Sequence, residues 1–322
     1  MLGGLGVLSF VVAFVASRLL LGPFARFALD EPNARSLHER PVPRTGGIAV
    51  LAGTAVAIPF VAASLWLPLL LAFLLATVSL VDDLRGMPTA VRLTFHLGAA
   101  ALLAWYVLAP MHPVELALLI VAVAWITNLY NFMDGSDGLA GGMAFIGFGA
   151  YALAAALAGD VPLALLCTVI SMAAAAFVAH NFHPARIFLG DVGSIPLGFL
   201  AGGLGLVGWR DDVWPLWFPL LVFAPFIADA TVTLLKRLAR RERVWQAHRD
   251  HYYQRLVRMG FGHRGTAYIG YALMAGCAAV ALLARSQAPL IQWSAFLAAS
   301  AALGAFALWV DVRWARHQRA AC

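Results

Sequence analysis

Apolar runs long enough to cross a lipid bilayer recur from one end of this 322-residue chain to the other. A helix needs about 20 apolar residues to span the hydrocarbon core. In lipid it must satisfy its backbone hydrogen bonds within its own segment. Composition agrees: 62% of residues are hydrophobic, only 12% are charged, and mean hydropathy is +0.83, where a soluble domain carries about 25% charged residues. The expectation is an all-α polytopic membrane protein forming one integral membrane domain over residues 1–322. Eleven spans can be placed, or ten if one pair is a single element: 3–22, 46–63, 65–81, 90–108, 114–127, 142–158, 161–179, 194–208, 213–235, 266–284 and 289–309. The run at Leu2–Leu21 has no basic segment before it and reads as a retained first helix rather than a signal peptide.

Charge orients the chain. Of the 22 Lys and Arg, only Arg210 and Arg285 fall in loops on one side. The other side is then cytoplasmic by the positive-inside rule. The amino terminus is then expected outside. The carboxyl terminus, with Arg313, Arg316 and Arg319, is expected inside. The net charge of +6 reflects this topology and anionic headgroups, and does not argue for nucleic acid. Cys167, Cys277 and Cys322 show no metal-ligand spacing, and no structural disulfide is expected.

The five inside loops (23–45, 82–89, 128–141, 180–193 and 236–265) hold nearly all the unusual residues, whereas the outside loops are short. The run Asn128–Gly142 contains Asn128, Asn131, Asp134, Asp137 and four glycines. Asp82-Asp83 closes the third span, and Asp191 lies within Phe188-Leu189-Gly190-Asp191-Val192-Gly193-Ser194. A carboxylate near a bilayer is costly unless a cation or hydrated cavity receives it. Three acidic clusters at the ends of apolar segments therefore suggest one divalent-metal site at a membrane face. Oxygen ligands of this kind suit Mg²⁺, or Mn²⁺, which takes one or two carboxylates and the phosphates of a substrate.

Adjacent residues on a helix point about 100° apart, so Asp82 and Asp83 cannot chelate as a pair; one is expected on metal and the other toward substrate. Asp134 and Asp137, three apart, would share a face on a helix; a solvated glycine-rich turn is the other reading. Asp191 stands where a loop enters a helix, and the exposed N–H groups of such a terminus favour phosphate. Phe188 is placed either to stack on a base or simply to pack. Arg35, Arg40 and Arg44 are either phosphate contacts or markers of the inner face. His248 and His251, at i and i+3, read as a zinc pair without a third ligand, as partners with Arg249 for a diphosphate, or as part of an Arg-rich interfacial helix. Asp229, two turns inside the ninth span, is either functional or hydrogen-bonded to a neighbouring helix.

In this order the motifs resemble those of the polyprenyl-phosphate N-acetylhexosamine-1-phosphate transferases, over roughly residues 30–265. Asp82-Asp83 looks like the family's Asp-Asp motif. Asn128, Asn131, Asp134 and Asp137 match its Asn-x-x-Asn-x-x-Asp-Gly-x-Asp-Gly-Leu motif. Phe188 and Asp191 fall in Phe-x-Gly-Asp-x-Gly-Ser, where the resemblance implies that the Asp binds metal and the Phe lies by uracil. The loop at Arg44-Thr45-Gly46-Gly47 matches the family's first loop, and His248 and His251 match its fifth. Arg85 and Arg92 stand where the family often has Lys. The loop His-Arg-Asp-His-Tyr-Tyr-Gln-Arg resembles the O-antigen-initiating branch, which acts on N-acetylated amino sugars.

The resemblance implies a Mg²⁺-dependent transferase. It would move a sugar 1-phosphate from a UDP-N-acetyl-amino sugar to undecaprenyl phosphate, release UMP, and so initiate lipopolysaccharide-type synthesis. Asp191 and Asp83 would hold the metal, and the other Asp of the pair would orient the lipid phosphate. Asn131, Asp134 and Asp137 would shape the nucleoside and metal surroundings, with Asn128 also on the substrate side. Arg44, Thr45, Arg186, His248, Arg249 and His251 would meet the sugar diphosphate. The partners are the two substrates and membrane lipid, with a homodimer left open. Two other classes compete. A flippase should carry its carboxylates at mid-membrane on broken helices. A CDP-alcohol phosphotransferase needs an Arg that Asp137-Gly138-Leu139-Ala140-Gly141 lacks.

Overall fold

The computed structural model describes residues 2–22, 24, 28–30, 41–243, 246 and 248–321. Arg35 and Arg40 lie outside the described residues. The helices are α1 (Leu2–Leu21), α2 (Gly46–Ala55), α3 (Ala63–Arg85), α4 (Thr89–Leu108), α5 (Pro113–Phe132), α6 (Leu139–Ala158) and α7 (Val161–Asn181). They continue with α8 (Asp191–Arg210), α9 (Trp217–Val222), α10 (Ala224–Ala239), α11 (Tyr252–Leu256), α12 (Gly262–Ala284) and α13 (Pro289–Ala321). The only sheet among the described residues pairs β1 (Leu29–Asp30) with β2 (Val42–Pro43) antiparallel. The protein is an all-α multi-pass membrane protein. Nine helices among the described residues are long and apolar enough to cross a bilayer, α11 and α12 counting as one through a π-helical turn at Val257–Phe261.

Two of the eleven expected spans are not single long helices. The segment 46–63 is α2 followed by a 3₁₀ turn at Ile58–Phe60. It packs against α1, α7 and α8 rather than lipid, so it needs no full lipid-spanning length. The segment 213–235 is broken between α9 and α10. Pro225 lies in the first turn of α10, where its missing N–H cannot bond back to the preceding turn. A third expectation is also corrected: the fifth span does not stop at 127. α5 runs on to Phe132, because Asn128 and Asn131 face an internal cavity and are polar without being loop.

α8 is buried along nearly its whole length against α3, α4 and α5. Its small residues allow close approach, as is usual where lipid supplies no hydrophobic drive between helices. The tightest case is α2 on α8: a Cβ on Gly47 would stand 2.3 Å from the Gly193 nitrogen. α13 packs at the periphery of the bundle, with Leu290, Trp293, Leu297 and Leu308 exposed on it, as Val7, Val11 and Val15 are on α1.

Candidate active site

The polar segments that join the helices meet at one end of the bundle. Gly46 and Gly47 donate backbone hydrogen bonds to the carbonyls of Phe188 and Leu189, and Phe188 donates to that of Pro43. The segment before α2 is thereby laid along the segment before α8. Gly190, at φ +72° where a side chain is strained, makes the turn; a Cβ there would meet the Arg44 carbonyl oxygen at 2.3 Å. The Asp191 carboxylate is delivered at the first residue of α8.

Asp82 and Asp83 end α3 and point apart as the helical repeat requires. Asp82 accepts from Met87 N at 2.6 Å and from Arg92 Nη1 at 2.8 Å. Asp83 faces Arg44, whose Nη1 stands 3.4 Å from Asp83 Oδ1 and whose Nη2 donates to the Asp83 carbonyl at 2.8 Å. Arg92 Nη1 also lies 3.4 Å from Asp191 Oδ2. Asp134 completes the group, within Coulombic reach of Asp191 and Asp83. Its burial, then the like charge of Asp191, hold its carboxyl well above the ordinary carboxylate range. Three of these carboxylates thus share two arginines, and Asp83 Oδ2 is buried with no hydrogen-bond partner. That donor set fits a hard divalent cation. Among the described residues no group of three His, Cys, Asp or Glu side chains is placed to hold a metal ion, so a cation here would need further ligands from substrate phosphates and water.

Asp134 and Asp137 do not share a face. Residues 133–138 are a turn between α5 and α6 rather than helix, and Gly138 at φ +76° reverses the chain. Asp137 is turned the other way: its Oδ2 accepts from Ala185 N at 3.1 Å and lies 2.7 Å from His183 Nδ1, with His263 Nδ1 at 3.6 Å from Oδ1. Asn181 Oδ1 accepts from Gly138 N at 2.9 Å. Asp137 therefore ties the 133–138 turn to the segment before α8 and to the start of α12.

Asn128, Asn131, Asp191, His248 and His251 line one cavity of about 800 Å³ together with Arg92 and His96. Asn128 Oδ1 is 3.2 Å from His96 Nδ1, and Asn131 Oδ1 accepts from Ser194 Oγ at 3.1 Å. The cavity runs between α4, α5 and α10, past Leu93, Leu97 and Val121, which are exposed on the outside of the bundle.

His248 and His251 do not lie on a helix, because the stretch before α11 is irregular. Their rings are nonetheless 4.8 Å apart. Burial, then the charges of His251 and Arg237, push His248 down to about 4, so it is neutral near pH 7. The Arg249 carbonyl accepts from Arg258 Nη1 at 3.3 Å. Arg186 is exposed, Phe188 is half-buried, and Thr45 is 1% exposed with its hydroxyl enclosed. Sequence reasoning noted Arg92 only as a substitution and passed over His96. The signal available for both was a charged or polar residue in the first two turns of an otherwise apolar run.

The family model described as glycosyl transferase family 4 matches residues 65–208, which takes in Asp82, Asp83, Arg92, Asn128, Asn131, Asp134, Asp137 and Asp191. Over that segment the chain is similar to glycosyl transferase family 4. It is 28% identical over 291 residues to a probable undecaprenyl-phosphate N-acetylglucosaminyl 1-phosphate transferase of Bacillus subtilis, covering 81% of each chain. It is 29% identical to the decaprenyl-phosphate N-acetylglucosaminephosphotransferase of Mycolicibacterium smegmatis, over 83% of this chain and 78% of the relative. A shorter stretch of 89 residues is 37% identical to the phospho-N-acetylmuramoyl-pentapeptide-transferase of Staphylococcus aureus, over 27% of this chain and 28% of the relative. The family match and the relatives' names support a phospho-sugar transferase, and the apolar helices embed it in a membrane.

Proposed function

We propose that the chain transfers an N-acetyl-amino-sugar 1-phosphate from its UDP conjugate to undecaprenyl phosphate at the cytoplasmic face of the bacterial inner membrane. The products are UMP and a lipid-diphosphate-linked sugar, the first intermediate of a lipopolysaccharide-type glycan. The amino terminus is then periplasmic and the carboxyl terminus cytoplasmic. The observation that carries the reading is the meeting of Asp82, Asp83, Asp134 and Asp191 with Arg44 and Arg92 at a cavity open toward the apolar exterior. Such a site serves one water-soluble and one lipid-soluble substrate.

An oxygen of the lipid phosphate attacks the sugar-bearing phosphorus of the UDP-sugar. The bond from that phosphorus to the bridging oxygen breaks, and UMP carries the electron pair away. Catalysis of such a step is mostly positioning and charge stabilisation. A bound magnesium ion, held by Asp83 and Asp191, would supply charge neutralisation on the diphosphate. Arg92, held by Asp82, positions Asp191 and presents its remaining N–H groups to phosphate. Arg44 does the same from Asp83 on the opposite wall. A phosphate nucleophile is already ionised near neutral pH, so Asp82 has little proton to remove and orients instead. His248, neutral and at the cavity wall, and His251 contact the sugar diphosphate, together with Arg186 and Arg249. Asn128, Asn131, Phe188 and the loop tied by Asp137 shape the nucleoside end. The apolar wall of Leu93, Leu97 and Val121 receives the polyprenyl chain. The flippase alternative is weakened because the one deep carboxylate on the broken segment, Asp229, is occupied by backbone and side-chain donors.

The test is UMP release by the purified chain from a panel of UDP-sugars. Release that requires undecaprenyl phosphate and an N-acetyl-amino sugar is expected. No release from any donor, or release without the lipid phosphate, would reject the reading.

A further inference from the structure

Asp229 is a carboxylate on α10, within the apolar bundle and 8% exposed. Its surroundings are unusually complete. Oδ1 accepts from Tyr252 N at 2.9 Å, Oδ2 accepts from Tyr253 N at 2.9 Å, and Thr233 Oγ1 approaches Oδ1 at 3.4 Å. The fourth neighbour is the ring of His251, whose Nδ1 is 3.1 Å from Oδ1. The basic residues of the same helix are engaged elsewhere: Lys236 with Asp311 and Tyr252, Arg237 with Glu242 and Asp250. Among the described residues no Lys or Arg forms an ion pair with Asp229.

We propose that Asp229 is a positioning residue that sets the tautomer of His251 and aims its second ring nitrogen into the cavity. An ionised carboxylate only accepts hydrogen bonds. The His251 nitrogen beside it must therefore carry a proton, and Nε2 is left as the nitrogen available to a ligand. Fixing one ring nitrogen on a carboxylate is a general way to orient a histidine and select its tautomer. The ring is 4% exposed and lines the cavity, so its edge has one direction in which to meet a ligand. It is held between Phe132 and Tyr253, whose ring centroids stand at 6.3 Å and 5.8 Å from its own. Gln254 Oε1 accepts from His251 N at 3.2 Å, so the backbone is pinned as well as the side chain.

A purely structural acceptor would not need this arrangement. An Asn in place of Asp229 would keep one oxygen for the backbone N–H groups but would set an NH₂ against the other donor. It would also remove the charge that holds the imidazole proton on Nδ1. Asp229 thus does two things from one position: it caps the start of α11 and orders the histidine that opens it.

The role in transfer rests on the function proposed above, but the tautomer does not, and the experiment separates them. The full-length protein is labelled with ¹⁵N-histidine and purified in detergent; the His251 signals are assigned by their loss in His251→Gln. The expected spectrum shows protonated Nδ1 on His251. A protonated Nε2 with a bare Nδ1 would overturn the proposal, whether or not the chain transfers a sugar phosphate. UMP release is then measured for Asp229→Asn, His251→Gln and the double variant. The expected result is a fall in kcat of about 10- to 100-fold for Asp229→Asn, KM for the lipid phosphate within about twofold of the unsubstituted protein, and a double variant no slower than His251→Gln alone. An equal further loss from Asp229→Asn in the His251→Gln background would show that Asp229 acts independently of His251, and would overturn it. If no UDP-sugar is turned over at all, the function fails and the spectrum alone decides the inference.

Discussion

Arg92, in the first turn of α4, lies 3.4 Å from Asp191, the first residue of α8, although 99 residues separate them in the chain. The same guanidinium nitrogen donates to Asp82 at 2.8 Å. One cation thus fixes two of the acidic residues on which the proposed chemistry depends, and the first prediction concerns it.

Replacing Arg92 by Ala should leave Asp82 and Asp191 facing each other without their shared partner. A hydrogen bond to a charged group contributes about 1.5–3 kcal/mol, which as lost transition-state stabilisation is roughly 10- to 100-fold in rate. Arg92→Lys should retain more activity than Arg92→Ala, because one cationic nitrogen reaches the pair, but less than the parent, because the planar fork is gone. Initial rates of UMP release rank the three proteins; equal rates would remove Arg92 from the site.

Chelation with EDTA should stop turnover, and added Mg²⁺ or Mn²⁺ should restore it. Asp191→Asn should be inactive at every metal concentration while eluting from size exclusion as the parent does. Activity that persists in EDTA would exclude the metal.

The close approach of α2 to α8 makes Gly47 intolerant of a side chain. A Cβ would stand 2.3 Å from Gly193 N and 2.4 Å from its Cα, and overpacking of this kind costs about 1–3 kcal/mol. Gly47→Ala should lower the melting temperature in detergent and disturb the Arg44 and Asp191 walls together. Gly98, with nothing within 4 Å of its added Cβ, is the control: Gly98→Ala should change stability by no more than about 1 kcal/mol.

His248 gives a pH dependence of stability. Its pKa is about 4 in the folded protein against an ordinary 6.5, so the unfolded chain takes up a proton that the folded chain refuses. The contribution is fully present above pH 6.5 and is lost as the pH falls from there toward 4. Melting temperatures measured between pH 4 and 7.5 should fall on acidification, and His248→Gln should flatten that slope. An unchanged slope would show that His248 is not held neutral.

Much of this was legible in the residues themselves. Apolar runs and the asymmetry of Arg gave the bundle and the five loops at one end, because length and hydropathy are local properties. The boundaries that failed did so where a residue's partner is distant. Asn128 and Asn131 look like loop until the cavity they face is known. The break before α10 depends on Pro225, one of 16 prolines, and Pro68 and Pro196 sit inside α3 and α8 without ending them. Asp134 and Asp137 are indistinguishable by spacing; only the turn over residues 133–138 sends one toward Asp191 and the other toward His183. Asp229 offered two readings because its partners, His251 to Tyr253, follow an irregular connection that no periodicity describes.

The 99-residue separation of Arg92 and Asp191 also bears on how the protein is made. Contacts this remote in sequence form only after the intervening chain has found its place. A nascent chain with α3, α4 and α5 already inserted still lacks Asp191. A translation product that stops before α8 therefore lacks the Arg92–Asp191 contact altogether.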